Sequence, residues 1–227
     1  MKLIDITGPI HNGMWYFGEP WKRFNFVTRY HEMPAVGITA MIEDFEGFNG
    51  HCGMHIETPA TGIGYDKSYP LSSVPVEKLV LQDAYVYQIP YDSLPIADGK
   101  PYISVDDLKK AEKEDIPEGS IILISTGYGK NWFSEDYLTK SWFFKREAMY
   151  YLIDKKPFLL GVDATDFENW ANPEKFMERF FNSDILLMAP IINVEQVKSF
   201  KVKFIALPVK IKDAAICPTR AVIIEDY

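Results

Sequence analysis

Nine residues, His51-Cys52-Gly53-Met54-His55-Ile56-Glu57-Thr58-Pro59, constrain this chain more than any other stretch. Side chains of an extended strand alternate between its two faces, so residues 51, 55 and 57 project to one side. A helix would also align His51 with His55, but Glu57 would then point away, and Gly53 and Pro59 both disfavour helix. The stretch is therefore predicted to be a strand carrying two imidazoles and a carboxylate on one face, with Gly53 between the rings leaving room for an ion and a water. Such a donor set suits zinc, manganese or iron(II), with positions open for water and substrate. The alternative is a set of ordinary polar residues on a half-exposed strand. It is weakened because two of the four histidines fall in this one stretch and share parity with an acid. Cys52 has the opposite parity and reads as a small buried side chain.

A strand of this kind needs a sheet around it. Largely apolar runs over residues 3–6, 24–29, 36–42, 84–87, 121–126, 158–163, 185–188, 204–209 and 221–224 are predicted strands. Ser104 followed three residues later by Asp107 is a capping-box signature that opens a helix through about Glu114. Further helices are predicted over 145–155, stopped ahead of Pro157, and over 173–181, with Pro173 at the first position, and a single helical turn over 75–79. Strands alternating with helices predict an α/β fold, one domain over residues 1–227 with a mixed, partly parallel β-sheet or a barrel-like sheet. No repeat or linker divides it.

Composition narrows the partners. With 47% hydrophobic and 25% charged residues in a chain of 227, a proper core is expected. A net charge of −8 argues against the basic face that nucleic-acid binding requires. No apolar run approaches the ~18 residues of a membrane span, and Asp5 interrupts any signal-peptide core at the N-terminus. Two cysteines, Cys52 and Cys217, make no disulfide framework, so a cytoplasmic location is expected. The loop from Asn12 to Gly18 carries Trp15, Tyr16 and Phe17. It is either a satellite of the core or an aromatic wall over a small-molecule pocket, with Trp15 and Phe17 as substrate-binding residues.

Taken together, these residues resemble the metal-dependent cyclase family that includes bacterial kynurenine formamidase and isatin hydrolase. Asp5-Ile6-Thr7 with Ile10, Gly13 and Met14 resembles its opening motif. Thr126-Gly127-Tyr128 and Gly161-Val162-Asp163 resemble its central strand ends, and Pro218-Thr219-Arg220-Ala221 its closing one. The family's metal motif reads His-x-Gly-Thr-His-x-Asp-x-Pro-x-His. Here His51, Gly53, His55 and Pro59 match and Glu57 is a conservative change, while Met54 stands for the threonine and Thr61 for the last histidine. Val194-Glu195-Gln196-Val197 resembles a later stretch in which a glutamate follows a histidine by some twelve residues. Glu195 holds the acid, and Ser183 stands at the histidine position.

The resemblance implies a swivelling β/β/α type of fold, flanked by helices, and one divalent metal ion, Mn or Zn, on His51, His55 and Glu57. A second ion is not expected without the lost histidines, because it needs its own nitrogen and carboxylate ligands. The implied activity is hydrolysis of an amide, lactam or lactone bond in a small cyclic or aromatic metabolite, with Thr61 donating to the developing oxyanion and Glu195 moving protons. Asp163 is either a further acid-base candidate or a structural residue satisfying backbone donors at a strand end. A degenerate family member serving as a binding or assembly protein is the rival, and a Cys52 nucleophile without metal a further one. The resemblance also implies a homo-oligomer.

Overall fold

The structure, a computed structural model, describes residues 1–226. Strands follow one another as β1 (Lys2–Asp5), β2 (Asn25–Met33), β3 (Ile38–Glu46), β4 (His55–Glu57), β5 (Val80–Gln88), β6 (Ile96–Ala97) and β7 (Lys100–Ile103). They continue as β8 (Ile121–Ser125), β9 (Phe143–Phe144), β10 (Leu159–Val162), β11 (Leu186–Ala189), β12 (Lys201–Pro208) and β13 (Ile216–Glu225). The α-helices are α1 (Ala60–Ile63), α2 (Val105–Ala111), α3 (Arg146–Asp154) and α4 (Met177–Phe181).

The main sheet runs β1-β13-β12-β5-β8-β10-β11-β4, and β4 pairs again with β13, so seven strands close into a barrel with β1 laid on its edge. Strands β5, β8, β10 and β11 are mutually parallel, and the remaining pairs are antiparallel. The parallel strands read as continuous apolar runs because both their faces are covered. On β8, Ile121 and Leu123 join a cluster with Ile56, Leu159, Leu186, Met188, Phe204 and Cys217, contributed by strands around the ring; this is the barrel interior. Ile122 and Ile124 face outward and pack with Leu108 of α2 and Met149 and Leu152 of α3. Gly161 is required inside, since a Cβ there would meet the Leu123 Cδ2 at 2.5 Å.

The Ser104 side chain accepts from the Asp107 backbone N–H while the Asp107 carboxylate accepts from the Ser104 N–H, the reciprocal cap expected for α2. The 173–181 helix is shorter than predicted. The buried Glu168 carboxylate accepts the Glu174 and Lys175 N–H groups, and Lys175 takes a φ of +63°, so α4 begins only at Met177. The 75–79 turn is a 3₁₀ turn over Val76–Lys78. Opening and closing motifs meet across 215 residues: Asp5 Oδ2 accepts from Arg220 Nε at 3.1 Å and Nη2 at 2.8 Å, and Thr7 Oγ1 accepts the Ala221 N–H at 2.9 Å.

Strands β2 and β3 pair only with each other and stand off the barrel as a nine-plus-nine-residue arm, longer than the two predicted strands because the chain turns tightly over Pro34–Gly37. Its outer part exposes Tyr30, Val36, Ile38 and Met41. Among the described residues no helix is long and apolar enough to cross a membrane.

Candidate metal centre

The short strand β4 carries the centre. Ile56 points into the barrel, so its neighbours His55 and Glu57 necessarily face outward, beside Ala189 and Leu187, their partners on β11. His51 does not arrive by strand parity. Residues 51–54 form a turn in which Asn49 Oδ1 accepts the His51 N–H, the Asn49 carbonyl accepts the Cys52 N–H, and Gly53 adopts a left-handed φ of +70°. The expected strand over 51–57 is thus confined to its last three residues. The space Gly53 leaves belongs to Ile10, whose Cγ1 a Cβ would meet at 2.8 Å, and not to an ion and a water.

By these two routes a nitrogen of His51, a nitrogen of His55 and a carboxylate oxygen of Glu57 come within 4.8 Å of one another, a spacing that fits one cation. The Gly53 carbonyl can only accept, so His55 Nδ1, 2.8 Å away, carries a proton, and Nε2 is turned toward Glu57, 3.4 Å from its Oε1. Burial raises the Glu57 carboxyl, but His55 above all, then His51 and the Thr61 side chain, outweigh it, holding the acid below its usual range. Burial, reinforced by His55 and opposed by Glu57, lowers His51 to about 4. At neutral pH His51 is therefore a neutral imidazole and Glu57 a carboxylate.

The triad opens on a cleft of about 850 Å³. Phe17 and Trp21 wall it on one side, Phe167, Met177 and Phe181 on another, and Thr61 from α1 stands next to Glu57. Of the two aromatic residues expected over a pocket, Phe17 lines this cleft. Trp15 stands one ring behind it, edge-on to Phe17 at 5.7 Å and packed on Trp132 and Tyr137 at 5.1 and 5.4 Å, so its position is that of the core satellite. Glu195 is not brought to the cleft. It is exposed on the 3₁₀ turn Val194–Gln196, its side chain beside Gly127. Ser183 bonds back to the Arg179 carbonyl at the end of α4. Buried Cys52 has its thiol pushed up to about 11 by burial, the reverse of an activated nucleophile. Asp163 is a strand-end clamp, accepting from Thr126 N, Thr126 Oγ1, Tyr128 N and Trp142 Nε1.

Two cleft residues carried no sequence signal. Asp166, raised by burial, is held by Lys100 Nζ at 3.5 Å and Trp170 Nε1 at 3.2 Å. Thr165 Oγ1 is buried and bonds to no described residue. Their distance in sequence from the histidines hides them.

A seven-stranded α/β barrel sets His55 and Glu57 on the outward face of its shortest strand and His51 on the turn before it, which groups three metal-ligating side chains beside a cleft. The sequence model of the Cyclase family matches residues 4–169, and the chain belongs to that family. No curated protein matches it. Among solved structures it is similar to isatin hydrolase A from Labrenzia aggregata bound to benzyl benzoate, with a TM-score of 0.78 at 16% identity over 98% of this chain and 93% of that one. An isatin hydrolase bound to the product analogue thioisatinate matches with a TM-score of 0.74 at 20% identity, covering 98% and 91%. A structure described as a potential metal-dependent hydrolase with cyclase activity gives 0.71 at 22%, covering 98% of both chains. At these identities the likeness is one of fold.

Proposed function

We propose that this protein is a hydrolase acting on an amide, lactam or lactone carbonyl of a small cyclic or aromatic metabolite, using one divalent ion, Mn or Zn. The observation that carries this reading is the convergence of His51, His55 and Glu57 within 4.8 Å on the wall of a largely apolar cleft. An ion held there supplies Lewis acidity and a water whose pKa is lowered toward ~7. The chain's own residues do the rest. Phe17, Phe167 and Phe181 receive the apolar body of the substrate and exclude water from the carbonyl. Thr61 beside Glu57 donates to the oxyanion as the carbonyl becomes tetrahedral. Asp166 takes the proton-transfer role in place of Glu195. It is the carboxylate that lines the cleft besides Glu57, and burial raises its pKa above the ordinary aspartate value.

The test is turnover of a panel of small lactams, formamides and lactones by protein stripped of metal and then resupplied with Mn or Zn. Hydrolysis restored by the ion is the expected result. No turnover of any panel member, with the ion demonstrably bound, would favour the binding-protein rival.

The arm supports a homo-oligomer as part of the same proposal, with a second copy as its partner. Its apolar tip matches an apolar groove of about 480 Å³ lined by Ile10, Phe48, Met54, Leu207 and Val209. The arm's Glu32 and Glu43 are opposite in sign to Lys210, which follows the groove residue Val209 in the chain. Light scattering should give twice the mass of one chain for the wild type and a single-chain mass for Met41→Asp. A monomeric wild type contradicts this.

A further inference from the structure

The two histidines of the centre are pinned in opposite senses. His55 donates from Nδ1 to the Gly53 carbonyl. His51 instead faces an indole. Trp21 Nε1 lies 3.0 Å from His51 Nδ1, with the rings edge-on at 69° and centroids 5.4 Å apart. An indole N–H has nothing to accept with, so it must donate, and the nitrogen it meets must supply a lone pair. A neutral imidazole has one such nitrogen. With Nδ1 accepting from Trp21, the ring's proton sits on Nε2, and neither nitrogen of His51 has electrons left for a cation.

We propose that Trp21 is a gate on the metal centre: its indole competes with the ion for His51, and loading the site requires that hydrogen bond to break. The two bonds exclude each other whichever nitrogen ligates. If Nδ1 binds the ion, the indole is displaced directly. If Nε2 binds it, the proton moves to Nδ1, which then meets the indole N–H donor to donor. This inference rests on the reading that the triad holds an ion. It makes Trp21 a positioning residue acting through His51.

The local structure suits such a part. Trp21 closes a turn in which its own N–H donates to the Gly18 carbonyl at 2.9 Å, where Gly18 has a φ of +83°. The indole is half-buried at the cleft wall, its centroid 5.9 Å from that of Phe17. A freed indole therefore stays in the cleft, next to where a substrate would lie.

The test uses chelator-stripped full-length protein and Zn²⁺ followed by calorimetry. Trp21→Phe keeps an aromatic ring and removes the donor, so it should bind Zn²⁺ about 3- to 10-fold more tightly than wild type, the worth of one neutral hydrogen bond. The gain should vanish in a His51→Ala background, as a double-mutant cycle requires of a residue acting through another. Independently of any variant, ¹⁵N spectra of the imidazoles in stripped wild type should show His51 as the Nε2–H tautomer and His55 as the Nδ1–H tautomer, and Zn²⁺ should change His51. Equal or weaker binding by a folded Trp21→Phe, or a His51 Nδ1–H tautomer in the stripped protein, overturns the gate while leaving the metal reading intact. Failure of both proteins to bind Zn²⁺ overturns both.

Discussion

Glu57 Oε1 lies 3.4 Å from His55 Nε2, the two side chains flanking an Ile56 that is wholly inside the barrel. Alternation along three residues thus sets a carboxylate beside an imidazole on one face of the strand. Glu57→Gln keeps the shape and removes the charge. Groups that merely orient a ligand are worth about 10- to 100-fold in metal affinity, so losing a ligand itself should cost more than about 100-fold. Calorimetric titration with Zn²⁺ or Mn²⁺ measures this.

Asp166 is held by Lys100 and Trp170 and raised by burial. Asp166→Asn should lower kcat by about 10²- to 10⁴-fold, the usual worth of general acid-base help. KM and metal content should change little, and one limb of the pH–rate profile should disappear. An unchanged kcat returns this acid to a structural role.

Asp163 gathers four donors from three residues. Asp163→Ala leaves the Thr126 N–H, the Thr126 hydroxyl and the Trp142 indole without this acceptor, while the Tyr128 N–H keeps Thr126 Oγ1, and denaturant unfolding should show a loss of roughly 3 kcal/mol or more. Bound metal per folded chain should stay the same, since Asp163 does not line the cleft.

His51, held down to about 4 by burial and by His55, refuses a proton that the unfolded chain takes up near 6.5. Between those values the unfolded state binds more protons, so stability falls as pH drops from about 6.5 toward 4 and is unaffected by this residue above that window. Thermal melts of chelator-stripped protein across this range should show the decline. A His51→Gln variant should show a shallower one.

How much of this was legible beforehand depended on how local each cause is. The buried runs of β8 and β10 and the Ser104–Asp107 cap are written in neighbouring residues, and they stand where periodicity put them. A barrel-like sheet was one of two expected forms, but the β4–β13 pairing that closes it was not legible, because it joins His55 to Pro218 across most of the chain. Parity placed His55 and Glu57 correctly relative to each other. His51 reaches the same spot through the Asn49 turn and the left-handed Gly53, which alternation does not describe. The arm outgrew its predicted strands because exposed strand pairs lack the apolar contrast that marks a boundary. Asp166 and Thr165 carried no pattern, and only folding sets them in the cleft.

The most direct measurement is the metal content of protein purified without chelator, by plasma mass spectrometry, for wild type and His55→Ala side by side with circular dichroism. Close to one Mn or Zn per wild-type chain, lost in a folded variant, is what the convergence of His51, His55 and Glu57 predicts. A folded wild type that carries no ion and takes up none when Mn or Zn is supplied would contradict it.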